Sequence, residues 1–292
     1  MKNILVFINP RSRKGRDHRE FVLQWLKDHD LRVLNEDTGP SVEEMRNLME
    51  KHQGTADLVV IGGGDGSLRE ALPGLLHTRL PLLYLPIGTL NNLAKALQLP
   101  LGVEESLELI LKHAVKEIEI GAANGIPFHT VVGLGLSTQV NRFVRADLKR
   151  WLGAFAFLWT GLNIVSRMRP FHLSIEVDGK RHTGRSWQVT ICNGVYYGSG
   201  LKIDPDAEMT DHLLRGQSVE TEKWWYALRF LPHLLFRGNE RYKDLEIFSG
   251  REIVLKTKQR MNVDLDGDLK TKTPLHLQIL PQKLKILVPP NI

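Results

Sequence analysis

Residues 58–67, Leu-Val-Val-Ile-Gly-Gly-Gly-Asp-Gly-Ser, carry an apolar run straight into four glycines that surround one aspartate. Glycine lets backbone N–H groups approach an oxyanion without Cβ interference. A helix starting just beyond adds its unpaired N–H groups and the positive end of its dipole. Gly62, Gly63, Gly64, Gly66 and Ser67 therefore form a candidate phosphate cradle, and Asp65 is a candidate carboxylate for a metal beside the phosphates. Leu68, Leu72 and Leu75 recur at helical spacing after it. The segment lacks the Lys-Ser/Thr of a P-loop, and its glycines do not space as G-x-G-x-x-G. A plain strand-to-helix turn is the alternative, but such a turn seldom needs four glycines around an acid.

A second segment of the same build follows about one β-α unit later. Residues 81–85 read as a short buried strand, Pro86-Ile87-Gly88-Thr89 as its turn, and residues 91–97 as the start of a helix. Thr89 offers a hydroxyl and Asn91 an amide to the same phosphates, although either residue also suits an N-cap.

The elements that must position these loops divide by texture. Up to about residue 120, strand-like runs at 4–8, 31–34, 58–61 and 82–85 alternate with helical stretches at 19–27, 42–51 and 103–112. That alternation predicts an α/β domain with a parallel sheet and helices on both faces. Ligands of such sheets bind beyond the carboxyl ends of the strands, which is where Asn9, the Gly62–Ser67 loop and Gly88-Thr89 fall. After residue 120, short strands are expected at 128–132, 172–178, 187–192, 251–256, 261–265, 275–280 and 285–288. Their period-two alternation, with Asp178-Gly179 and Asp266-Gly267 as turns, predicts an all-β sandwich over residues 121–292. Helical insertions are expected at 142–167 and 221–237.

Composition narrows the function classes. The chain has 292 residues, a net charge of +6 and a single cysteine, Cys192, so no internal disulfide framework exists. Cys192 lies among Val189, Thr190 and Ile191 and reads as a buried strand residue rather than a nucleophile. No signal peptide is read at residues 1–8, and the uncharged run at 151–166 is too short and polar to cross a bilayer. A cytoplasmic protein with peripheral contact at the inner membrane face is expected, the positive charge suiting an anionic lipid surface. The aromatic-rich stretches around Trp151 and Trp224 suit either a lipid surface or burial against the β domain. No zinc-ligand pattern or RNA-binding aromatic motif occurs, so nucleic acid is not expected as a partner.

Taken in order, Asn9-Pro10-Arg11-Ser12, Gly62-Gly63-Gly64-Asp65-Gly66-Ser67, Pro86-Ile87-Gly88-Thr89-Leu90-Asn91 and Asp266-Gly267-Asp268 resemble the diacylglycerol kinase catalytic-domain family, which includes bacterial soluble lipid kinases and is related to sphingosine kinases. Asn193-Gly194 and Ile203-Asp204-Pro205 are similar to it as well. The resemblance spans nearly the whole chain. It implies a nucleotide-binding domain over 1–120, a lipid-substrate domain over 121–292 and a last strand that returns to the first domain. It implies an ATP-dependent lipid kinase of lipid metabolism, acting on a diacylglycerol-like hydroxyl. Asn9, Ser12, Gly62 to Ser67, Gly88, Thr89 and Asn91 would contact ATP, and Asp65 would serve Mg²⁺. Asp266 or Asp268 would be the base, although Asp-Gly is also a common hairpin turn.

The family likewise implies a structural Mg²⁺, held at positions that correspond to Glu208, Asp211 and the Leu213 carbonyl; a surface acid loop is the alternative. Several residues depart from the family pattern. Ser67 stands for threonine, Asn92 for an aspartate, Ser137 follows paired glycines where an acid is usual, and the segment Thr210 to Arg215 keeps one of the expected acids. Two other functions stay open: an NAD kinase, which has a similar glycine loop and two-domain plan, and a non-catalytic nucleotide- or lipid-binding protein.

Overall fold

The computed structural model describes residues 2–10, 12, 15–35, 39–136, 138, 169–194, 196–197, 201–202, 209–220 and 245–290. The helical insertions expected at 142–167 and 221–237, together with Ser137, the Ile203-Asp204-Pro205 segment and Glu208, lie outside those residues. Two compact units are formed, one from Met1–Ile120 with Leu280–Ile292 and the other from Gly121–Ile279.

In the first unit β1 (Asn3–Ile8), α1 (Gly15–Asp28), β2 (Arg32–Val33), α2 (Val42–Lys51), β3 (Leu58–Gly63), α3 (Asp65–Thr78), β4 (Leu82–Pro86), α4 (Asn92–Ala96) and α5 (Val103–Glu108) follow one another. The strands lie in the order β2-β1-β3-β4, all parallel. A sheet covered on both faces favours continuous apolar strands, and β3 and β4 are buried at every position. One face packs Ile4, Val6, Ile8, Val60 and Leu85 against Val22, Trp25 and Leu26 of α1 and Leu107 of α5. Register then places the strand ends: Ile8 pairs with Gly62, and Gly62 with Leu85, so the chain leaves β1, β3 and β4 at one edge.

In the second unit β7 (Val131–Gly135), β10 (Gln188–Asn193), β13 (Leu214–Val219), β14 (Leu245–Gly250), β16 (Asn262–Leu265) and β17 (Asp268–Lys272) form an antiparallel sheet in the order β14-β13-β10-β7-β16-β17. Opposite it β8 (Phe171–Val177), β9 (Lys180–Ser186) and β15 (Glu252–Thr257) pair antiparallel with one another. Leu173, Ile175, Ile253 and Leu255 from this layer meet Val132, Leu134, Val189, Ile191 and Leu265 from the other, which is the core of a β sandwich. The turns Asp178-Gly179 and Asp266-Gly267 have positive φ at both residues, as the two-residue hairpin turn requires.

Two strands run from one unit into the other. β5 (Ala114–Ala123) turns through Asn124-Gly125 into β6 (Ile126–Phe128). β18 (Leu275–Val288) pairs antiparallel with β15 at its start and parallel with β4 at Ile286. Two strands were expected where β18 is continuous. Pro281 breaks the apolar alternation, but it falls between the stretches that pair with β15 and β4. β9 was not expected as a strand because Lys180, Arg181, His182 and Arg185 hide it; among the described residues it pairs only with β8, and charge is what protects such an edge.

Phe128 is fully buried, and its ring lies where a Cβ on Gly121 would have to sit. Phe128→Ala is expected to cost about 3–5 kcal/mol, seen as a lower urea midpoint. A midpoint equal to that of the unsubstituted protein would show that this ring does not anchor the sandwich.

Candidate active site

The Gly62–Ser67 segment splits into three roles. Gly62 and Gly63 end β3, Gly64 is the N-cap of α3, and Asp65, Gly66 and Ser67 form the helix's first turn. Among the described residues no side chain caps this 14-residue helix, so its leading N–H groups suit an anionic ligand. Asn9 follows β1 beside it: its N–H donates to the Gly62 carbonyl at 2.8 Å and its side-chain amide to Ser67 Oγ at 2.9 Å. Ser12 turns back on Asn9, donating Oγ–H to its carbonyl at 2.7 Å.

The second glycine loop touches the first through backbone. A Cβ on Gly64 would lie 3.2 Å from Gly88 Cα, and a Cβ on Gly88 would overlap Gly64 Cα. Neither position has room for another residue without moving a main chain. Asn91 sets the geometry of the Gly88 turn from a left-handed φ of 49°, which asparagine tolerates. Its amide donates to the carbonyls of Pro86 at 2.7 Å and Gly88 at 3.2 Å, while its Oδ1 accepts from Gly88 N–H at 3.0 Å. Thr89 is exposed at the loop tip.

Two further side chains join the loops. Asp65 is buried, and its Oδ1 accepts the backbone N–H of Asn92, the first residue of α4, at 2.7 Å. Tyr84, 1% exposed in the middle of β4, donates its hydroxyl to the Gly63 carbonyl at 3.2 Å and reaches Asn91 Oδ1 at 3.4 Å. Sequence reasoning passed over Tyr84. Its signal was a hydroxyl-bearing ring inside the otherwise aliphatic run Leu82-Leu83-Tyr84-Leu85, which must find a partner once buried.

In the second unit Asp266 sits at a left-handed turn with its side chain fully enclosed. It accepts the N–H groups of His129 at 2.9 Å, Thr130 at 2.9 Å and Val131 at 3.0 Å, and the Thr130 hydroxyl at 2.9 Å. His129 Nε2 is a further 3.5 Å contact. Asp264 accepts Gly267 N–H at 2.8 Å, closing the same turn. Asp268 is exposed at the start of β17. Cys192 is buried in β10; burial, then the nearby Asp266 charge, pushes its thiol pKa far above the usual range, so it is no nucleophile.

The remaining candidates are Asp211 and Leu213. Asp211 Oδ1 accepts Leu213 N–H at 3.0 Å, and Oδ2 forms an ion pair with Arg215 Nη1 at 2.7 Å.

Residues 3–123 match the diacylglycerol kinase catalytic domain, and residues 130–288 match the YegS C-terminal NAD kinase beta sandwich-like domain. The chain belongs to the diacylglycerol kinase family. It is a lipid kinase of that family, with the glycine loops in its catalytic-domain half. A diacylglycerol kinase of Bacillus subtilis is 26% identical to it over 300 residues, covering 99% of this chain and 97% of that one. The fold is shared with a diacylglycerol kinase crystal structure from Bacillus anthracis, with a TM-score of 0.75, 21% identity and coverage of 100% and 98%. A second crystal structure from that organism gives a TM-score of 0.81 at 24% identity, over 100% of this chain and 96% of that one.

Tyr84→Phe keeps the buried ring and removes the hydroxyl that links the two loops of the kinase. A stability loss of about 0.5–1.5 kcal/mol is expected, with faster amide hydrogen exchange at Gly88. Unchanged exchange in that loop would show that the hydroxyl does not hold it.

Proposed function

We propose that this lipid kinase transfers the γ-phosphoryl group of ATP to a hydroxyl of a diacylglycerol-like or related membrane lipid. The observation that carries the reading is the backbone contact of Gly64 with Gly88 beside the start of α3, an approach that a Cβ at either position would obstruct. Phosphoryl transfer is mostly positioning and charge compensation, so such a cradle, a metal and one carboxylate can suffice.

The Gly62 to Ser67 segment would receive the phosphates through the leading N–H groups of α3, with Asn9, Ser12 and Thr89 beside them. Asn91 spends its amide on Pro86 and Gly88 and would act by shaping the loop. Asp65 fits a role toward Mg²⁺: one oxygen takes the Asn92 N–H, a carboxylate has about four acceptor sites, and this ion is commonly bound through one or two carboxylates plus phosphates and water. Bound there, Mg²⁺ would offset phosphate charge.

The lipid hydroxyl oxygen forms a bond to the γ-phosphorus, the bond to the β–γ bridging oxygen breaks, and ADP leaves. The hydroxyl proton passes to a carboxylate. Asp266 is enclosed by four donors, whereas Asp268 is exposed on the same hairpin, which favours Asp268 as base and Asp266 as the residue that holds the turn.

The test follows labelled γ-phosphate from ATP into a bacterial lipid extract, with NAD as a second acceptor. A labelled lipid is expected from the native enzyme, with turnover about 10²–10⁴-fold lower for Asp268→Asn and for Asp65→Asn. Asp268→Asn should retain its fold and ATP binding, whereas Asp266→Asn should also lower the melting temperature, because it leaves buried N–H groups facing a weaker acceptor. Label in NAD alone would make the protein a dinucleotide kinase. ATP binding with no labelled acceptor would make it a binding protein.

A further inference from the structure

The ligand set that the family resemblance implies for a structural Mg²⁺ does not suit the Asp211 turn of this chain. Mg²⁺ requires hard oxygen donors about 2.0–2.1 Å away in near-octahedral order. Asp211 meets a guanidinium instead: Oδ2 forms an ion pair with Arg215 Nη1 at 2.7 Å, and Oδ1 accepts the Leu213 N–H at 3.0 Å. Arg215 is 9% exposed, in a strand paired on both sides, opposite Cys192 of β10 and Ser249 of β14. A divalent cation on Asp211 would face this charge across one carboxylate, and displacing the arginine would leave it buried without that counter-charge.

The local backbone is shaped for the pair. His212 takes a left-handed φ of 62° between Asp211 and Leu213, in the turn that leads to Arg215 four residues after the acid. An apolar anchor precedes the pair: Met209 is buried against Gly194, where a Cβ would lie 2.5 Å from Met209 Cγ. We infer that the Arg215 guanidinium takes the electrostatic place of a structural divalent cation at the Asp211 turn, so that this segment of the β sandwich is ordered without Mg²⁺. The charge that neutralises the acid is thus built into β13.

The experiment is thermal unfolding of the nucleotide-free protein in excess EDTA and in millimolar MgCl₂, with Mn²⁺ binding followed by electron paramagnetic resonance. A resident ion well above its dissociation constant would raise the melting temperature by several degrees. The native protein is expected to melt at the same temperature in both, whereas Arg215→Asp should melt lower in EDTA and recover with MgCl₂. If Arg215→Asp does not fold, Arg215→Gln should bind one more Mn²⁺ than the native protein. The inference is overturned if MgCl₂ stabilises the native protein and that response survives Asp65→Asn but is lost in Asp211→Asn. It is also overturned if neither Arg215 variant gains a response to the metal.

Discussion

The contact between the Gly64 and Gly88 main chains is the constraint on which the catalytic-domain half of this lipid kinase depends. The two backbones approach this closely only because neither residue carries a Cβ. The parallel register supplies the approach by ending β1, β3 and β4 together, and three side chains then hold it. Tyr84 binds the Gly63 carbonyl, Asn91 folds the Gly88 turn, and Asp65 accepts the first N–H of α4. Each of these groups is buried, so each would be costly to leave without a partner.

Carboxylates recur as organising centres. Asp65 joins two helix starts while remaining chemically suited to a metal, and Asp266 gathers the N–H groups of three consecutive residues, His129 to Val131. In the second case the acid closes a hairpin whose next exposed acid, Asp268, lies two residues on. A buried acceptor and an exposed carboxylate thus sit on one turn. Asp211 shows a third arrangement, in which the compensating charge is an arginine of the same β sandwich.

Much of this was legible in the order of residues because it is local. Apolar strands ending in Gly62-Gly63-Gly64 and Pro86-Ile87-Gly88, with helical spacing after each, announce a parallel sheet with loops at its carboxyl edge. The Asp178-Gly179 and Asp266-Gly267 turns likewise announce hairpins, and both adopt the positive φ values those residues permit. What was not legible depends on partners far apart in the chain. β9 is polar because it is an edge, a fact about its neighbours rather than its composition. The donors on Asp266 come from residues 135 to 137 positions away, and Tyr84 matters only because Gly63 lies beside it in the sheet. Arg215 looked like the loss of an acid until its guanidinium was found on Asp211.

The most direct measurement is ATP affinity, by titration calorimetry, of Gly88→Ala beside the native protein, with circular dichroism to verify the fold. The account predicts an intact fold and an affinity lowered by about tenfold or more, because the added methyl must push the two loops apart. Native affinity in a folded Gly88→Ala protein would contradict it, since the nucleotide would then bind without the contact on which the proposed phosphate cradle is built.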